Sequence, residues 1–102
     1  MLVIFRSRLS DKDEVSKEYP PLGKRMIELA KAMPGFISYK NFVASDEERI
    51  SVIEFDTQEN LRAWQEHPEH KIAQQKGRDL FYDEFKVQVC TVEREYNFKR
   101  EK

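Results

Sequence analysis

Two runs of alternating apolar and polar residues, Phe36 to Ala44 and Arg49 to Phe55, are separated only by Ser45-Asp46-Glu47-Glu48. A polar link of hairpin length turns the chain back on itself, so the two runs pair antiparallel. Every other segment has to be arranged around that pair.

A strand-like run and a helix-period segment precede the hairpin, and a helix-period segment and a strand-like run follow it. Leu2 to Leu9 reads as a strand, with Leu2 and Ile4 on one face and Val3, Phe5 and Leu9 on the other. Ser10 or Asp11 can cap the first helix, with Asp13 or Glu14 completing a capping box. Val15, Tyr19, Leu22, Met26, Leu29, Ala30 and Met33 follow in steps of three and four, a single helical stripe. Pro20-Pro21 interrupts it, because proline lacks the backbone N–H and clashes one turn back. A firm helix is therefore expected only from about Leu22 to Met33, where Met33-Pro34-Gly35 ends it. After the hairpin, Asp56 or Thr57 caps a helix with Leu61 and Trp64 on one side; Pro68 restarts it and Gly77 closes it. Arg78 to Glu84 links to a last strand from Phe85 to about Glu95.

Strand, helix, strand, strand, helix, strand is the split βαβ order of a ferredoxin-like α+β fold. It places both helices on one face of a four-stranded antiparallel sheet. Residues 1–96 make one domain, followed by a polar, frayed tail over 97–102. If Leu2, Phe36 or Val87 point towards the helices, then Val3, Phe5, Ile37, Tyr39, Val43, Ile53, Phe55, Cys90 and Val92 form a second set too apolar for water. A second copy, sheet against sheet, would cover it and make a homodimeric α/β barrel.

Charge excludes some partners. With 18 basic and 19 acidic residues the formal net charge is −1, without the basic excess that a nucleic-acid surface needs. The longest apolar run, Met1 to Phe5, is too short to span a bilayer and has no signal-peptide pattern, so a cytoplasmic protein is expected. A single cysteine, Cys90, allows no disulfide framework, and packing is the expected role of its thiol.

Met33-Pro34-Gly35-Phe36 leading into a strand, Glu54-Phe55 before a helix with Trp64, His67-Pro68-Glu69-His70, Gln74-Gln75-Lys76-Gly77-Arg78, Phe81-Tyr82 and the ending Cys90-Thr91-Val92-Glu93-Arg94 form a pattern. It resembles the antibiotic biosynthesis monooxygenase domain family from about Met1 to Tyr96. The resemblance implies a dimeric α/β barrel with a substrate cleft between sheet and helices. It also implies a cofactor-independent monooxygenase acting on a small aromatic or polyphenolic substrate with dioxygen. Haem-degrading relatives imply the alternative of haem. Of their asparagine, tryptophan and histidine positions, Trp64 matches one, whereas Ser7 and Gln74 fall at the other two. A non-catalytic small-ligand module is a further alternative.

Cofactor-free oxidation needs an apolar aromatic pocket, a proton acceptor and exclusion of water. Phe36, Phe42, Phe55, Trp64, Phe81 and Tyr82 can supply the pocket or simply the core. His70, one turn inside the restarted helix, is the candidate catalytic base because imidazole titrates near neutral pH. Trp64, Phe55, Tyr82, Tyr39, Asn41 and His67 are the candidate substrate contacts. Glu54 can also reach a cleft, although an ion pair with Arg6 or Arg49 across strands is the expected role. His67 and His70 lack a third ligand of metal-site spacing, so no metal is expected.

Overall fold

The fold is given by a computed structural model that describes residues 1–11 and 13–101, the side chains of residues 13–16 excepted. The elements are β1 (Leu2–Leu9), α1 (Asp13–Ala32), β2 (Phe36–Val43), β3 (Arg49–Phe55), α2 (Gln58–Gln65), α3 (Pro68–Lys76), a single π-helical turn (Gly77–Phe81) and β4 (Tyr82–Cys90). The sheet is antiparallel throughout, in the order β2-β3-β1-β4. This is the expected ferredoxin-like βαββαβ order, with the second helical segment divided at Pro68.

Thr57 caps α2, its hydroxyl accepting from the Asn60 amide at 3.1 Å, and His67 caps α3, its Nδ1 accepting from the Glu69 amide at 3.2 Å. The capping box expected of Ser10 or Asp11 with Asp13 or Glu14 lies outside the described residues. Gly35, at φ 79°, turns the chain out of α1 into β2.

Three expectations are corrected. Helix α1 runs unbroken through Pro20 and Pro21. Both prolines are exposed, so the carbonyls they leave without donors one turn earlier can be met by water. Strand β4 covers Tyr82–Cys90 rather than starting at Phe85 and reaching Glu95. It stops there because Cys90 pairs with Leu2, the first residue of β1, and the ladder has no further partner. Residues 91–101 carry no regular secondary structure.

The third correction concerns the two faces of the sheet. Val3, Ile53 and Phe55 are buried against Met26, Leu29 and Ala30 of α1 and Leu61 and Trp64 of α2, with Tyr39 and Phe36 packed beside them. Side chains alternate along a strand and directly opposed residues share a face. Val3, Phe5 and Ser7 therefore face the helices together with Ile53, Ser51, Arg49, Val87 and Phe85. A bulge between Phe36 and Ser38 brings Phe36 to the same side as Tyr39. Leu2, expected towards the helices, lies instead on the outer face with Ile4, Ile50 and Val52. All four are half-buried, and none belongs to the helix-packed core of the described residues.

Candidate functional site

A cleft of about 610 Å³ opens between the helix-facing side of the sheet and α1, α3 and the π-helical turn. That volume lies within the usual range of small-molecule sites, about 300–1,000 Å³. Two groups of rings form and back its walls. The first joins Phe5, Tyr19, Phe81, Tyr82 and Phe85, with Phe5 5.3 Å from Tyr82 and Tyr82 5.9 Å from both Tyr19 and Phe85. The second joins Tyr39, Phe55, Trp64 and His70, with Trp64 stacked at 5.8 Å on Phe55 and 4.3 Å from the His70 ring.

Local sequence explains how these rings are held. Gly77 closes α3 as expected, standing at its C-cap, but with ordinary helical dihedrals, φ −58° and ψ −47°. Its small size also serves a close approach. A Cβ at Gly77 would stand 2.7 Å from Cε2 of Tyr82, closer than such carbons pack. The wide turn that follows carries Phe81, 1% exposed, into the core and delivers Tyr82 to the cleft. Helix α3 is fastened to α1 by Arg25, which donates to both carboxylate oxygens of Glu69 at 2.7 and 2.8 Å.

His70 has the most defined polar environment in the cleft. Its Nδ1 lies 2.8 Å from Nε2 of Gln74 and 3.3 Å from the Gln65 carbonyl. In one neutral tautomer Nδ1 accepts from the Gln74 amide; in the other it donates to the Gln65 carbonyl and Nε2 keeps its lone pair. Nε2 has no hydrogen bond to the chain among the described residues. Burial pushes the imidazole below its ordinary value, outweighing the Gln65 carbonyl, which favours the charged form. Burial also pushes the Tyr39 phenol up to about 12 and raises that of Tyr82 further, in both cases with the neighbouring Tyr19 adding to it. Both phenols therefore stay protonated near neutral pH, and that of Tyr82 donates to the Tyr19 hydroxyl at 3.5 Å.

The candidate contacts separate into two groups. Trp64, Tyr39, Asn41, Tyr82 and His70 all line the cleft, and the Ser51 hydroxyl donates to Oδ1 of Asn41. Phe55 and His67 do not. Phe55 is fully buried beneath Trp64, and His67 is the α3 cap. Glu54 lies on the outer face opposite Leu2, and its expected partner Arg6 instead donates to both carboxylate oxygens of Glu48 at 3.0 and 3.1 Å. Sequence reasoning passed over Lys24, Arg49 and Arg78, which also line the cleft. For Arg49 the signal was its register opposite Ser7, which became readable only once the buried face of β1 was known.

Among the described residues no three His, Cys, Asp or Glu side chains come together as a metal site. For haem, His70 is the one candidate axial ligand on the cleft wall, and Ser7 and Gln74 occupy the positions where the haem-degrading pattern has asparagine and histidine. Gln74 is hydrogen-bonded to His70, and Ser7 is 3% exposed. These side chains do not compose the haem-degrading set.

The family model of the antibiotic biosynthesis monooxygenases matches residues 3–76. The chain belongs to that family. This member of the antibiotic biosynthesis monooxygenase family is 33% identical over 97 residues to the uncharacterised protein YqjZ of Bacillus subtilis, covering 95% of this chain and 82% of YqjZ. Its fold resembles Rv0793 from Mycobacterium tuberculosis, with TM-score 0.78, 18% identity and coverage of 94% and 97% of the two chains. It also resembles SnoaB, a cofactor-independent oxygenase from Streptomyces nogalater, with TM-score 0.67, 13% identity and coverage of 89% and 92%. At such identities the likeness shows a shared fold. Among the described residues no helix is long and apolar enough to cross a membrane.

Proposed function

We propose that this chain is a cofactor-independent monooxygenase that oxidises a small aromatic or polyphenolic substrate in the cleft, with His70 as the base. The observation that carries this reading is the inventory of proton acceptors. Among the described residues lining the cleft there is no Asp, Glu or Cys, the Tyr39 and Tyr82 phenols are held protonated, and His70 is the one histidine. Its lowered pKa keeps it neutral, and therefore able to take a proton, at physiological pH. Membership of the family and likeness to a cofactor-independent oxygenase support the same chemistry.

In this scheme the Gln74 amide turns its oxygen towards Nδ1, Nδ1–H donates to the Gln65 carbonyl and stabilises the imidazolium, and Nε2 removes a proton from a phenol or an activated methylene. The carbanion or phenolate then supplies electrons to dioxygen. For a methylene the balance is CH2 plus O2 giving C=O plus H2O, so no external reductant is required. Trp64 and Tyr82 flank the bound ring, and Tyr39 and Asn41 provide polar contacts. The apolar walls exclude water from the anion.

We further propose that the working unit is a homodimer. Leu2, Ile4, Ile50 and Val52 form an apolar patch across the two central strands, outside the helix-covered core of the described residues, and a two-fold copy would bury it.

The test is oxygen uptake under metal-free conditions with a panel of anthrones, naphthols and dihydroquinones, comparing native protein with His70→Ala. Uptake that depends on His70 supports the reading. No uptake from any of them by the folded native protein would leave a ligand-binding module in place of an oxygenase.

A further inference from the structure

Charge is distributed unevenly between the cleft and the rest of the surface. Acidic residues outnumber basic ones in the chain, 19 to 18, yet the cleft is lined by Lys24, Arg49 and Arg78 and, among the described residues, by no carboxylate. The three cations come from three separate elements, α1, the start of β3 and the π-helical turn. Glu28, Asp79 and Glu84 belong to the same or adjoining elements, but all three lie off the cleft wall.

The arginines are also uncommitted. Three arginines are matched to acids, Arg6 to Glu48, Arg8 to Asp46 and Glu84, and Arg25 to Glu28 and Glu69, whereas Arg62, Arg94 and Arg100, off the cleft wall, are in no ion pair among the described residues. Among the described residues neither Arg49 nor Arg78 forms an ion pair. Each guanidinium instead lies over a ring of the cleft, Arg49 5.9 Å from the Tyr19 centroid and Arg78 6.0 Å from that of Phe85. Those two rings are joined through Tyr82, which is 5.9 Å from each. One aromatic run therefore has a guanidinium over each end, and among the described residues neither guanidinium is drawn into an ion pair.

Such an arrangement selects a ligand that is both flat and anionic. We propose that the substrate of this cleft is an aromatic carboxylic acid. Its carboxylate pairs with a guanidinium at one end of the Tyr19–Tyr82–Phe85 run, Arg49 or Arg78, and its reacting ring extends towards Trp64 and His70. The inference rests on the reading of the cleft as the substrate site and adds the group that orients the substrate there. Guanidinium presents paired donors that match a carboxylate, and apolar walls strengthen the attraction relative to open water. Lys24, also on the cleft wall, contributes a third positive charge, which favours capture of anions over neutral arenes.

The matched pair 2-naphthoate and 2-naphthamide tests this by calorimetric titration at pH 7.5. Both are flat and of nearly equal size, and only the first is charged. Native protein is expected to bind the acid at least about tenfold more tightly in low salt, with the advantage shrinking as salt is raised. Arg49→Gln/Arg78→Gln should lose the advantage and still bind the amide, whereas Arg49→Lys/Arg78→Lys, which keeps both charges, should retain part of it. The lysine variant and amide binding by the glutamine variant separate loss of charge from loss of fold. Equal binding of acid and amide by native protein, or a preference that survives in the glutamine variant, overturns the inference while leaving the cleft as an arene site. Binding of neither compound would overturn the cleft reading, and the inference with it.

Discussion

The imidazole of His70 and the indole of Trp64 lie 4.3 Å apart, centroid to centroid, with their planes tilted by 45°. Trp64 is 3% exposed and is itself stacked on the fully buried Phe55. The candidate base is thus backed by the hydrophobic core. This contact contributes to the burial that keeps the imidazole neutral, and it ties any movement of His70 to repacking of α2 against the sheet.

The lowered pKa of His70 makes a prediction about stability. In the unfolded chain the imidazole titrates near 6.5, so below that pH the unfolded state takes up a proton that the native state resists. Native stability should therefore fall as pH drops from about 6.5 towards the lower folded value. His70→Gln removes that contribution. Urea midpoints at pH 7.5 and 5.5 should drop more for native protein than for the variant; equal drops would show that His70 is not held neutral by the fold.

Gly77→Ala should destabilise the protein by roughly 1–3 kcal/mol, the usual cost of overpacking. The added methyl meets the Tyr82 ring, which is hemmed in by Phe5, Tyr19, Phe81 and Phe85 and cannot swing away cheaply. Because Gly77 has ordinary helical dihedrals, the cost should largely vanish in a Tyr82→Ala background. A double-mutant cycle from chemical denaturation measures this, and additive effects would mean that the glycine serves some other need.

The outer face of the sheet predicts an assembly. At micromolar concentration the native protein should sediment as a dimer. Val52→Asp should yield monomers, since a carboxylate would be placed at the centre of the Leu2, Ile4 and Ile50 patch. A native monomer, or a Val52→Asp dimer, would rule out this face as the interface.

Element order was legible because helical and strand periods differ so plainly, and the four-residue link after Ala44 left a single way to pair β2 with β3. The faces were not legible. Leu2 and Ile4 are as apolar as Val3 and Phe5, and alternation then gives no preference until α1 and α2 are seen to bury Val3, Ile53 and Phe55. Pro20-Pro21 misled because the cost of proline inside a helix was weighed without the burial of Met26, Leu29 and Ala30 against the sheet, which holds α1 in place. His70 and Trp64 were readable as chemistry-bearing residues in one motif. Arg49 and Arg78 were not, because an arginine on an exposed turn or strand end looks like solvated surface until it is found on the cleft wall, over a ring and in no ion pair among the described residues.

The central claim is that His70 is the base of the cleft, and the pH profile of kcat/KM for oxygen uptake tests it most directly. With the best substrate of the anthrone, naphthol and dihydroquinone panel, native protein should show an ascending limb centred below about 6.5 and a plateau by neutral pH. His70→Ala should lose that limb along with roughly 10²- to 10⁴-fold in rate. A variant that keeps both the limb and the rate would contradict the account, and the proton acceptor would then have to be sought outside the cleft described here.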